Sequence, residues 1–412
     1  MLLKFPRIIR SILCLFLGVT YGTHTLAAEQ TAYALTNAIL FNGFENRIIS
    51  GKTVLVRGRL IERIANSSDG VPEGYITVDC EGNYLMPGLF DVHTHLNTLE
   101  QAQRALESGV TTVRSAGVPA YQDVALAALS RAGKIPGPDV VAAGVYVTPN
   151  LAGTVLADPR LIELADGVES DDALRLLVKI NIDRGVGVIK TRGTERAGRS
   201  DTDPREQTYT QHQLEVVVEE AAKSGVPVMV HAHGDEGGRA AVLAGARSIE
   251  HGSYLKPETL RLMKQKGTFL VPTYITMVEM LEQENEGVLR VRGMYMVSRL
   301  EEVIQQAIKL GLKIATGADN YYDEQSINRI SLEVFHLVRL GMSPFDALQA
   351  ATINSAELLM LDDRTGRIAE GFEADLILVP SNPLEDVSAL QDVLLVMSNG
   401  KIAVKRIPFA IH

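Results

Sequence analysis

Asp91-Val92-His93-Thr94-His95 follows directly on Leu89-Phe90, and four later residues stand at the ends of comparable apolar runs. They are Lys190 in Val188-Ile189-Lys190-Thr191, His231 in Val228-Met229-Val230-His231, His251 in Ile249-Glu250-His251-Gly252, and Asp319 in Ala315-Thr316-Gly317-Ala318-Asp319. The runs are short and rich in β-branched residues, and helical stretches separate them. That is the pattern of buried parallel strands. The donors His93, His95, Lys190, His231, His251 and Asp319, gathered at strand ends, can converge on one or two divalent metals, which implies hydrolytic chemistry.

Working outward, residues 87–365 alternate strand and helix signals. Strands are expected at 89–96, 111–117, 139–148, 186–193, 227–234, 248–252, 268–274 and 313–319, with amphipathic helices at 211–223, 257–266 and 300–310 between some of them. This predicts an α/β fold, a (β/α)8 TIM-type barrel whose chemistry sits at the C-terminal strand ends. A doubly wound open sheet is the alternative, but no glycine-rich phosphate loop follows the first strand. The flanking residues read differently. Over 29–86 and 366–412, short strands broken by Gly, Asn and Asp turns predict one small β-sandwich assembled from both chain ends.

A chain of 412 residues accommodates a barrel plus such a module. Its net charge of -10, and the lack of basic patches with interleaved aromatics, speak against a nucleic-acid partner. Lys4, Arg7 and Arg10 precede an apolar stretch over 12–19, and Thr25-Leu26-Ala27-Ala28 follows it, so residues 1–28 read as a signal peptide cleaved after Ala27 or Ala28. The apolar stretch is short for a membrane anchor. A periplasmic or secreted bacterial enzyme with no membrane attachment after cleavage is the expectation, and a homo-oligomer is left open. Cys80, the one cysteine beyond the leader, reads as a buried strand residue.

Two connections are long enough to invite a functional reading. The first, 191–210, carries Arg192, Glu195, Arg196, Arg199 and Arg205, and either lines a substrate pocket or forms a solvated surface. The second, 275–298, contains Met277, Met280, Met294 and Tyr295, and reads as a pocket wall or a short lid helix.

Pro87-Gly88-Leu89-Phe90-Asp91-Val92-His93-Thr94-His95 resembles the first-strand motif of the amidohydrolase superfamily, and the likeness extends to Gly371-Phe372-Glu373-Ala374-Asp375-Leu376. His231-Ala232-His233-Gly234 and Arg247-Ser248-Ile249-Glu250-His251-Gly252 are similar to the branch of imidazolonepropionase-like proteins and Xaa-Pro (prolidase-type) dipeptidases. The resemblance implies a site at the barrel mouth. His93 and His95 bind the more buried metal, with Asp319 as a further ligand, and His231 and His251 bind the second. Lys190, carboxylated by carbon dioxide, bridges the two; its alternative is a structural lysine of a one-metal enzyme. Zinc suits imidazole and carboxylate donors. A hydroxide shared by two zinc ions, its pKa lowered to ~7, is the implied nucleophile. Asp319 is the implied proton carrier, base first and then acid.

His233 lies two residues beyond His231 and faces the same way on a strand, which makes it a substrate contact or a support. Arg192, Tyr274 and Tyr146 are further candidates for substrate binding. Ser115 stands where this branch often carries aspartate, and Tyr146-Val147-Thr148-Pro149-Asn150 lacks the glycine- and histidine-rich turn common there, so the metal site carries over better than prolidase specificity does. The leading expectation is a binuclear hydrolase cutting an amide in a dipeptide or N-acyl amino acid, a small substrate bearing a carboxylate. Alternatives are a hydrolase of a cyclic amide or lactone (hydantoin or imidazolone type) and a non-catalytic periplasmic binding protein. A purified protein without tightly held metal would sink both enzyme readings.

Overall fold

Seven of the eight expected barrel strands form as regular strands, all nearly or wholly buried: Leu89–Thr94, Val110–Ser115, Asp139–Val141, Ile189–Arg192, Val228–Ala232, Ser248–His251 and Phe269–Val271. The computed structural model describes residues 31–282, 287–324, 326 and 329–407. The leader expected over 1–28 lies outside these. Among the described residues no helix is long and apolar enough to cross a membrane.

The first three strands pair in parallel, as do the last four. Two irregular segments join these sheets into a ring. Between the third and fourth strands, Val147 N donates to Lys190 O (2.9 Å) and Gly187 N to Ala142 O (2.8 Å). The expected strand over 139–148 is regular only to Val141, because Gly144 takes φ +66° and turns the chain. Between the seventh strand and the first lies the segment expected as strand 313–319. It is not a regular strand. Leu270 N donates to Lys313 O, Ala315 N to Leu270 O, Val92 N to Thr316 O and Asp319 N to His93 O (2.8–3.0 Å). Asp319 itself takes φ +48°, which a regular strand cannot contain.

Helices cover the ring, and local sequence starts and stops them. Thr98 and Thr210 cap Leu99–Glu107 and Gln211–Ala222, each with a glutamine three residues on that closes a capping box. Gly245 and Gly267 end Asp235–Ala244 and Pro257–Lys266 in the left-handed conformation. The methionine-bearing stretch 275–298, read from sequence as a long connection, is largely helical: Tyr274–Glu279 and the start of Gly287–Leu310. Met277 and Met280 are buried, whereas Met294 and Tyr295 are exposed. The apolar spacing at 277 and 280 therefore serves packing.

The chain ends share one sheet of eight strands. Its order runs Lys401–Lys405, Leu395–Ser398, Leu376–Val379, Tyr84–Pro87, Ala32–Leu40, Ile49–Arg57 and Leu60–Asn66, with Ile76–Asp79 also pairing to Ala32–Leu40. The two ends meet where Leu376 pairs with Pro87 in antiparallel register. The sheet wraps a core of its own, with Leu35, Val54, Ile61, Cys80, Leu85, Leu376 and Leu395 inside. Tyr84–Pro87 leads straight into the first barrel strand, which fixes the start of the run that ends at His93 and His95.

Candidate metal centre

Strand alternation sets the site's floor. Val188, Lys190 and Arg192 share one face of the fourth strand, and Met229, His231 and His233 share one face of the fifth. The lower members, Val188 and Met229, pack with Ala116 and Ala143. The upper members emerge at the C-terminal end of the ring.

Four of the expected ligands meet there with His233. Ring centroids lie 5.0 Å apart for His93 and His251, 4.6 Å for His231 and His251, and 4.7 Å for His233 and His251. Asp319 Oδ1 stands 3.4 Å from His93 Nε2 and 3.2 Å from His95 Nε2. Two donor groups are compact enough to hold an ion: His93, His251 and Asp319, and His231, His233 and His251, with ligand atoms within 4.8 Å of one another in each. His251 belongs to both. His233, read from sequence as a support or substrate contact, thus sits among the donors themselves. His95 joins the first group through its contact with Asp319.

Each expected histidine ligand has one ring nitrogen already engaged, which decides the nitrogen it presents. Carbonyl oxygens only accept, so His95 Nδ1 donates to Gly117 O (2.9 Å) and His231 Nε2 donates to Glu195 O (3.1 Å). His93 Nδ1 lies 2.7 Å from the Glu250 carboxylate. His251 Nδ1 lies 2.7 Å from Thr273 Oγ1, whose own proton goes to Pro272 O (2.8 Å), so the hydroxyl accepts. The lone pairs left for a metal are Nε2 of His93, His95 and His251 and Nδ1 of His231. Such anchoring fixes tautomer and ring orientation, and it is the usual companion of metal-ligating imidazole.

The electrostatics favour neutral imidazoles. Burial, with the Lys190 charge added, lowers the His93 pKa to about 4. His231 and His251 are also pushed well down, chiefly by burial and then by neighbouring histidines. For Asp319, burial alone would raise the pKa, but His93, His95 and Lys190 outweigh it and hold the carboxyl below its ordinary range.

Lys190 is the least satisfied group. It is 2% exposed, its Nζ has no hydrogen-bond partner, and it lies 5.6 Å from the centroid of the Tyr146 ring. Burial lowers its pKa to about 8. A buried ammonium without acceptors is costly. The donor set beside this orphaned amine fits divalent ions.

Three of the ten non-glycine residues with positive φ among the described residues lie at this place. His251, Thr273 and Asp319 all have positive φ, at 72°, 47° and 48°. Gly317 is required beside them: a Cβ there would lie 2.7 Å from His93 Cβ and 2.8 Å from Val271 Cγ1. Gly317→Ala is expected to displace His93, weaken metal binding by about tenfold or more, and cost ~1–3 kcal/mol of stability. Metal titration alongside thermal melting checks this, and wild-type affinity would show that the strand shifts freely.

The other expected substrate residues divide. Tyr146 lies beneath Lys190 and Arg192, whose guanidinium is 5.1 Å from its ring centroid. Arg192 also pairs with Glu195 (3.1 Å). The Tyr274 hydroxyl donates to Glu301 (2.6 Å) and its ring packs on His336, so its polar end serves the helix layer. Sequence reasoning assigned no role to three residues that matter. Glu250 anchors His93, and Arg114 pairs with Glu250 at 2.8 Å, both within the ring. Asp91 accepts from His93 N, Ala318 N and the Tyr322 hydroxyl, tying the first strand to the Asp319 segment. An arginine inside the wholly buried run Val110–Ser115 was the available signal for this network.

Imidazole, carboxylate and amine donors gathered at the C-terminal mouth of an α/β ring define a metal-dependent hydrolase. The amidohydrolase family model matches residues 84–403, and the chain belongs to that family, whose members hydrolyse carbon–nitrogen bonds. It is 29% identical over 402 residues to ochratoxinase of Aspergillus niger, covering 85% of this chain and 82% of that one. The crystal structure of A. niger ochratoxinase superposes with a TM-score of 0.78 at 27% identity, covering 92% and 96% of the two chains. A Xaa-Pro dipeptidase with bound methionine in its active site superposes with a TM-score of 0.81 at 26% identity, covering 90% and 99%. Imidazolonepropionase of Kosmotoga olearia is 25% identical over 370 residues, covering 80% and 84%.

Proposed function

We propose that this protein hydrolyses the amide bond of a dipeptide or N-acyl amino acid with two divalent ions, most simply zinc, held by His93, His95, His231, His251, Asp319 and a carboxylated Lys190. The observation that carries the reading is Lys190 Nζ, buried among metal donors without a hydrogen-bond partner. In its neutral form the amine adds to carbon dioxide, forming an N–C bond and releasing one proton, and the product is an anion whose charge would offset that of bound cations. Similarity to a Xaa-Pro dipeptidase and to ochratoxinase supports a substrate of the amide class.

Bound divalent ions supply an acidified water at neutral pH and a Lewis acid for the scissile carbonyl. The chain's own residues do the remaining work. Asp319, ionised at neutral pH, takes up the proton lost by the attacking water and returns it to the leaving amine. The anchored imidazoles hold their lone pairs inward throughout. We also propose export through a leader over residues 1–28, checked by fractionation and by N-terminal sequencing of the mature protein.

Zinc-loaded, bicarbonate-treated protein screened against dipeptides and N-acyl amino acids tests the activity, and background rates throughout would end this reading. Lys190→Ala tests the bridge by a second readout. Metal content is expected to fall from about two ions per chain to about one or fewer, with turnover reduced by about 10³-fold or more. A fully loaded, fully active variant would refute it.

A further inference from the structure

The loop that follows Lys190 carries five residues able to meet a substrate, and most are already engaged. Arg192 pairs with Glu195 (3.1 Å), Arg199 with Asp201 (2.7 Å) and Arg205 with Asp203 (2.8 Å). Arg196 differs. Its side chain is exposed, and its guanidinium has no acid within ion-pair distance among the described residues. It stands instead over the Tyr146 ring, 5.6 Å from the centroid, beside Lys190 and Arg192 on the same ring.

Its backbone is held firmly. Glu195 O, one residue earlier, accepts the His231 Nε2 proton, so Arg196 is adjacent in sequence to an anchor of the metal centre. Arg196 O accepts from Thr202 Oγ1 (2.6 Å), and Arg292 donates to the carbonyls of Ala197, Arg199 and Thr202. The Arg196 charge acts on both Lys190 and Tyr321. Tyr321 is itself half exposed and stacks on His95 at 5.2 Å. A guanidinium without an acid partner among the described residues thus stands over the Tyr146 ring, beside Lys190.

We propose that Arg196 receives the free carboxylate of the substrate and so selects N-acyl amino acids and dipeptides over their neutral analogues. This rests on the amide-hydrolase reading above and adds the specificity residue. A guanidinium binds carboxylate through two parallel hydrogen bonds, a geometry that lysine cannot reproduce. The rival is a cavity of about 530 Å³ lined by Arg205, Arg292, Arg299, Tyr254 and Tyr295. There the guanidiniums are occupied: Arg205 by Asp203, Arg292 by three carbonyls and Arg299 by Glu302 (3.0 Å).

The test pairs every N-acyl amino acid or dipeptide that wild-type enzyme cleaves with its α-carboxamide and follows the freed amine. Read as the ratio of kcat/KM for acid over carboxamide, the preference should fall about 10- to 100-fold in Arg196→Met, mainly through KM. Arg196→Lys should recover only part of it, while Arg299→Met should keep the wild-type ratio. An unchanged ratio in Arg196→Met, or its collapse in Arg299→Met, would overturn the assignment. Wild-type enzyme that cleaves neither acids nor carboxamides would instead remove the amide-hydrolase reading, and this inference with it.

Discussion

Asp319→Asn is expected to lower kcat/KM by about 10²- to 10⁴-fold, the range for removing a positioned acid–base group. The substitution keeps shape and volume but removes the negative charge and the titratable oxygen. In the native site Oδ1 lies 3.4 Å from His93 Nε2 and 3.2 Å from His95 Nε2, and Oδ2 lies 4.0 Å from His251 Nδ1. The carboxylate therefore borders both donor groups through His93 and His251. An amide places an N–H donor where imidazole lone pairs point, so some metal should be lost as well. The two losses separate if kcat is measured at saturating metal: restored occupancy should leave the rate low. Because the acid is held below its ordinary pKa, its charge persists to acidic pH, and the acidic limb of the wild-type profile should vanish in the variant. Activity within about tenfold of wild type at full occupancy would move proton transfer to another residue.

Arg114→Met is expected to cost about 3–5 kcal/mol, the usual penalty for removing one partner of a buried ion pair. Arg114 is 2% exposed and among the largest fully buried side chains in the protein. Its Nη2 meets Glu250 Oε1 at 2.8 Å, its Nε donates to Val92 O at 2.6 Å and its Nη1 to Ser248 Oγ at 3.0 Å. Methionine fills much of the volume but leaves the Glu250 carboxylate charged and unpaired inside the ring. The melting temperature should fall by roughly 5 °C for a chain of this size. Adding Glu250→Gln should recover about half of the loss or more, because the stranded charge is then gone. Metal affinity should not recover with it, since His93 Nδ1 also depends on that carboxylate. Stability equal to wild type in the single variant would mean that water reaches Glu250.

Much of this centre was legible from residue order. His93, His95, Lys190, His231, His251 and Asp319 each end an apolar run, and the alternation of strand side chains brings Lys190 and His231 to the same side of the ring. The strand starts were legible for the same reason. The strand lengths were not. Asp139–Val141 and the Asp319 segment are cut short by positive φ at Gly144 and Asp319, and hydrogen bonds to neighbouring strands, rather than apolar pattern, hold them in the ring. Tyr274 shows the opposite limit. Its position after the seventh strand suggested a substrate contact, yet Glu301, 27 residues later, takes its hydroxyl.

Period and spacing by themselves determine which side chains reach the mouth of the barrel, because a strand allows only two directions and every second residue shares one. Which atom each side chain presents was decided by the tertiary structure. Glu250, Gly117, Glu195 and Thr273 each engage one imidazole nitrogen and leave the other facing inward. Those partners lie 22 to 157 residues from the histidines they orient. Hydrogen bonds act over about 3 Å of space, whatever the separation along the chain, and only the closed ring supplies that proximity.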